Sequence, residues 1–149
     1  MSKIYFEDIK VGAKTVSKTR TVTKEEMLAF ATKYDPQPFH IDEEAAKNSI
    51  YGGLIASGWH TAAIMMRLLV DNMGNQRAGL GSPGLDNLRW LLPVRPGDTL
   101  HFESVVIETR RSQSRPDMGV VRSEVKVYNQ KDEAVLSFNS IGMMMTRPA

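Results

Sequence analysis

The chain has no cysteine. Disulfides, thiolate nucleophiles and cysteine-ligated metals are therefore excluded, and a reducing compartment is compatible with the composition. Charge of one sign is lacking too: 19 Lys and Arg stand against 17 Asp and Glu, a formal net charge of +2. The basic residues are scattered rather than striped, so neither nucleic acid nor an anionic membrane is expected as a partner. No apolar run reaches the ~20 residues that a membrane span needs. The most apolar stretch, Leu54–Val70, is shorter and contains Ser57, His60 and Arg67. The opening residues, MSKIYFEDIKVG, carry Glu7 and Asp8 and no signal-like apolar run, so a mature, cytoplasmic protein is expected. Repeats and low-complexity tracts are absent.

What is present suits one folded domain over residues 1–149. The hydrophobic fraction of 42% and charged fraction of 24% are ordinary for a globular protein of this length. Ile4–Gly12 reads as an N-terminal segment closed by a turn. Lys14–Thr23, rich in threonine and valine, predicts a partly exposed strand. Thr23 followed by Glu26 is a capping-box pattern and opens a helix that ends near Tyr34, because Pro36 disfavours helical geometry at Asp35. Pro36-Gln37-Pro38 predicts an extended or turn-like path, and Asp42 a cap for a short helix over Glu43–Lys47.

From Leu54 to about Asn72 the pattern is helical and apolar nearly all round, which predicts a helix surrounded by protein. The glycine-rich stretch Asn72–Gly84 reads as a loop. The remaining third predicts strands over Leu85–Val94, Thr99–Arg111, Val121–Tyr128 and Ala134–Thr146, with a turn at Arg95-Pro96-Gly97-Asp98. A flat sheet would leave one side of an all-apolar helix wet, whereas a curved antiparallel sheet wrapped around it would not. The expected architecture is thus α+β, of the hot-dog kind.

Chemistry-bearing residues concentrate between Tyr34 and His60. Asp35 and His40, five residues apart, have two readings: a helix-ending aspartate with a loop histidine, or an acid/base pair able to hold one water. Gly53 marks either a tight turn or a close approach to a ligand. Ser57 either lines a pocket or sits in the first helical turn. His60 reads as a satisfied core histidine. Asp35, His40 and His60 lack zinc-site spacing, so no metal is expected.

Asp35-Pro36-Gln37-Pro38-Phe39-His40-Ile41-Asp42 resembles the signature of the MaoC-like dehydratases, or R-specific enoyl-CoA hydratases of the hydratase 2 family. Gln37 stands where that family usually has asparagine, Phe39 where it has an aliphatic residue, and Tyr34 where it has glycine. Gly53–Gly58 and Leu91–Leu100 resemble further segments of the same family, in the same order. The resemblance implies a hot-dog fold and reversible hydration of a 2-enoyl-CoA to an (R)-3-hydroxyacyl-CoA. It implies Asp35 and His40 as the acid/base pair and the Gly53 N–H, at the positive end of the following helix, as oxyanion donor. Ser57, Phe39 and Trp59 are then expected to bind substrate. No cofactor is expected beyond the CoA of the thioester, and a homodimer or higher homo-oligomer is implied. An acyl-CoA thioesterase and a non-catalytic acyl-CoA-binding protein are the alternatives.

Overall fold

The computed structural model describes residues 2–74 and 76–149. Local signals set the first half of the chain. After a single 3-10 turn at Phe6–Asp8 come two short strands, β1 (Lys14–Val16) and β2 (Arg20–Thr21). One strand over Lys14–Thr23 is not formed. The chain breaks at Ser17, which is buried, and its Oγ accepts the Phe102 N–H at 2.8 Å. Helix α1 (Lys24–Tyr34) opens on the expected capping box, with Glu26 N–H donating to Thr23 Oγ1 and Thr23 N–H to Glu26 Oε1, both at 3.2 Å.

Two further short helices follow, α2 (Pro38–Ile41) and α3 (Glu43–Lys47). Pro38 therefore does not extend the chain. It occupies the first helical position of α2, where its fixed φ and missing N–H suit a helix start. Asp42 caps α3 as expected, accepting from the N–H groups of Glu44 and Ala45.

Helix α4 (Gly58–Met73) carries the core, and four strands form the sheet proper: β3 (Gly79–Trp90), β4 (Thr99–Arg111), β5 (Met118–Tyr128) and β6 (Ala134–Met145). The order is β1-β4-β5-β6-β3 and all pairings are antiparallel, with β2 also on β4. Inward residues of the sheet, among them Leu100, Phe102, Val125, Val127, Leu136 and Phe138, meet Ile64, Met65 and Leu68 of α4. Burial of this kind is the main stabilising term, at about 25 cal/mol per Å² of apolar surface. This is the hot-dog arrangement.

Three expectations need correction. Helix α4 begins at Gly58, and Leu54–Ala56 is buried but not helical. Nor is α4 enclosed on all sides: Trp59 is 61% exposed, and Met66 and Val70 are each 50% exposed. The sheet covers only one face of the helix. Finally, the predicted glycine-rich loop is mostly strand, since β3 starts at Gly79 and pairs with β6 through several register shifts. Asn75, inside that predicted loop, lies outside the described residues. Among the described residues no helix is long and apolar enough to cross a membrane.

Candidate active site

Asp35 closes α1, its N–H donating to the Ala31 carbonyl at 2.8 Å. The single turn of α2 then swings His40 back toward it. Behind them runs the extended segment Leu54–Ser57, held by Ile55 N–H to the Phe39 carbonyl and Ala56 N–H to the Val94 carbonyl. The short segment that carries the pair is thus backed by two pieces of backbone distant from it in sequence, Leu54–Ser57 and Val94.

His40 is buried, and its Nδ1 lies 2.8 Å from the Ile55 carbonyl oxygen. A carbonyl only accepts, so Nδ1 carries the hydrogen. Nε2 is left to face Asp35 Oδ2 at 3.3 Å. A lone pair turned toward a carboxylate is poorly placed unless a proton or a water lies between them. A water donating one hydrogen to each atom satisfies both.

The Asp35 carboxylate is held from two further directions. Ser57 Oγ donates to Oδ2 and Gln37 Nε2 donates to Oδ1, both at 2.7 Å. Burial alone would push the carboxyl's pKa up. The Ser57 and Gln37 hydrogen bonds and the nearby His40 outweigh it, and the group sits below its ordinary value of 3.8.

Both residues line a cleft of about 410 Å³, walled by Phe39, Tyr51, Ile55, Leu92 and Val94 and flanked by Trp59 and Trp90. Gly58 lines it as well, at the first turn of α4. His60 and Thr61 N–H groups both turn to the Ser57 carbonyl, at 3.0 and 3.1 Å. The N–H groups of Gly58 and Trp59 precede them and have no acceptor among the described residues. Trp90 Nε1 donates to the Gly58 carbonyl at 2.8 Å, which fixes the Gly58–Trp59 peptide.

The sequence-derived candidates divide. Asp35, His40, Phe39 and Trp59 come together at the cleft. Ser57 does not line it; the residue is fully buried and its hydroxyl faces Asp35. Gly53 does not line it either, and it does not stand at the start of α4. Its carbonyl accepts from Arg95 Nη1 at 3.3 Å, and the extended Leu54–Ser57 segment separates it from the helix. The glycine that stands at the start of α4 is Gly58. Gly58 and Trp90 are positions the sequence reading does not single out, although the serine before Gly58 is an N-cap residue type. His60 is not satisfied: its buried Nδ1 has no hydrogen-bond partner among the described residues, and its ring stacks on Phe30 at 4.7 Å.

The chain matches the MaoC-like domain over residues 8–129. A solved MaoC-like dehydratase from Rhodospirillum rubrum superposes with a TM-score of 0.90 and 43% identity, covering 98% of this chain and 99% of that one. An uncharacterised protein of Bacillus subtilis is 28% identical over 87% of this chain and 90% of its own length. The (R)-specific enoyl-CoA hydratase of Rhodospirillum rubrum is 32% identical over 64% of this chain and 65% of its own length. The chain belongs to the MaoC-like domain family.

Proposed function

We propose that the protein is a hydro-lyase that adds water reversibly to a 2-enoyl-CoA, giving the (R)-3-hydroxyacyl-CoA. The observation that carries this reading is the 3.3 Å pair of His40 Nε2 and Asp35 Oδ2 in a cleft that also presents the uncapped first turn of α4. The hand of the product follows the name of the R-specific relative.

In the hydration direction, the water bridges Nε2 and Oδ2. Its oxygen bonds to Cβ as His40 Nε2 takes a proton, and the C=C electron pair moves toward the thioester oxygen as an enolate. The Gly58 and Trp59 N–H groups, at the positive end of α4, stabilise that charge. The imidazolium then returns the proton to Cα and the enolate collapses to the thioester. Asp35, held below its ordinary pKa, is the poorer base of the two; it positions the water and stabilises the imidazolium. No group beyond the CoA of the substrate is needed for these steps.

The substrate has an uncharged acyl chain on this reading, because Asp35 is the sole side chain of formal charge among the residues lining the cleft. The working form is a homodimer, in which a second copy covers the exposed face of α4 and the unpaired edge of β3. Loss of enoyl absorbance from crotonyl-CoA, without release of free thiol, is the expected result with purified protein. Thiol release without hydration would make it a thioesterase. Full activity in both Asp35→Ala and His40→Ala would overturn the assignment altogether.

A further inference from the structure

Ser57 occupies a position with two possible hydrogen-bonding duties. It is the N-cap residue of α4, and a serine there ordinarily turns its hydroxyl onto an N–H of the first helical turn. In this chain it makes no such bond. The hydroxyl points the other way and donates to Asp35 Oδ2 at 2.7 Å, from a side chain with no exposed surface. The same oxygen of Asp35 faces His40 Nε2.

We infer that Ser57 is a positioning residue which couples the two halves of the site. By donating to Oδ2 it fixes the rotation of the Asp35 carboxylate and keeps it ionised. By not capping α4, it leaves the Trp59 N–H, which a capping hydroxyl would reach, open to the substrate carbonyl beside the N–H of Gly58. The inference rests on the hydratase reading for its consequence in turnover, though not for its effect on Asp35.

Two features exclude the roles a serine in an active site usually has. It has no access to the cleft, so it is not a nucleophile and does not bind substrate. Its hydroxyl hydrogen is taken by a carboxylate, so it has none to give to an enolate. Gln37, the other donor to Asp35, reaches Oδ1 and not Oδ2, so it cannot replace Ser57 at the oxygen that faces His40.

The test compares wild type with Ser57→Ala, which removes the donor and adds no volume, and with Ser57→Cys, which keeps a weak donor on a slightly larger atom. Titration of the Asp35 side-chain carboxyl by carbon-13 NMR should place the midpoint higher in Ser57→Ala than in wild type, with Ser57→Cys between them. With crotonyl-CoA, kcat should fall by roughly tenfold or more in Ser57→Ala, as for loss of a hydrogen bond to a charged group. The acid limb of the pH–rate profile should move upward with the carboxyl, while KM changes little. An unchanged Asp35 titration in both variants would overturn the inference, even if stability or activity fell. The NMR titration needs no turnover, so an absence of hydratase activity in the wild type would count against the proposed function and leave this reading standing.

Discussion

Trp90, at the end of β3, and Gly58, at the start of α4, interlock: the indole Nε1–H donates to the Gly58 carbonyl at 2.8 Å, and the indole ring lies where a Gly58 side chain would be. A Cβ built on Gly58 would meet Trp90 ring carbon at 2.5 Å. The open turn of α4 can thus approach the strand only without a side chain. Gly58→Ala should push Trp90 and the first turn apart and lower kcat by about a hundredfold, as sub-ångström to ångström misplacements do. Gly53→Ala should stay close to wild type, because its Cβ would meet one atom, the flexible Arg95 Nη1, at 3.4 Å. Steady-state kinetics on the two variants decide which glycine serves the thioester. Loss of activity in Gly53→Ala alone would restore the role to Gly53.

Trp90→Phe keeps an aromatic ring and removes the donor. It should cost about 0.5–1.5 kcal/mol of stability, the net value of one hydrogen bond. It should also lower kcat more than it raises KM, because the Gly58–Trp59 peptide loses its orientation. Urea unfolding together with initial rates checks both halves.

His60 stacks on Phe30 with its Nδ1 buried and unpartnered among the described residues. Burial lowers its pKa below 6.5; Glu26 acts to raise it and Arg20 to lower it further. Since the folded pKa is depressed, this histidine's contribution to stability is fully present above pH 6.5. It is lost as the pH falls from there toward the folded pKa, where the unfolded chain binds a proton and the folded one does not. His60→Phe should abolish that slope and raise stability by about 1–3 kcal/mol, the cost of an unsatisfied buried polar group. Denaturant midpoints measured at several pH values between 5 and 8 would show it. An unchanged slope in the variant would exclude His60 as its source.

How much of this was legible in the sequence follows from how local each signal is. The Thr23–Glu26 capping box and the Asp42 cap are formed within a few residues, and both stand where the sequence places them. Asp35 and His40 share one short segment, so their spacing carries most of their geometry. The start of α4 does not behave this way. Leu54, Ile55 and Ala56 are as apolar as the helix after them because both are buried, and periodicity cannot separate a buried extended segment from a buried helix. Gly79–Gly84 lacks β propensity, and its strand exists because β6 pairs with it. The hydrogen bonds of Ser57 and Trp90 join residues 22 and 32 apart in sequence, and no local pattern announces them.

The charge inside the cleft bears on substrate choice. Beyond His40, which already faces Asp35, the lining holds no Lys or Arg, so a second carboxylate on the acyl chain would face repulsion and an uncompensated loss of hydration. Crotonyl-CoA should be hydrated at least a hundredfold more efficiently, by kcat/KM, than an enoyl-CoA of similar length ending in a carboxylate. Parallel assays of the two thioesters test this. Comparable efficiencies would mean that a cation reaches the acyl chain.

The outward face of α4 presents Trp59, Met66 and Val70, and strand β3, at the end of the sheet, has one edge unpaired among the described residues, with Leu80 and Leu85 each 45% exposed. Exposed apolar residues together with an open strand edge are the features that pairing with a second copy, edge to edge about a two-fold axis, would cover. Met66 does not line the cleft, so it separates assembly from chemistry. Met66→Glu places a charge at the centre of that face, where two copies of it would meet at the axis or lose water against apolar neighbours. Sedimentation velocity should show wild type as a dimer and Met66→Glu shifted toward monomer at micromolar concentration. A dimer unaffected by Met66→Glu would place the interface elsewhere. If the dimer breaks and activity falls with it, in proportion to the monomer formed, the wall of Trp59 and Trp90 needs the second copy to hold its shape.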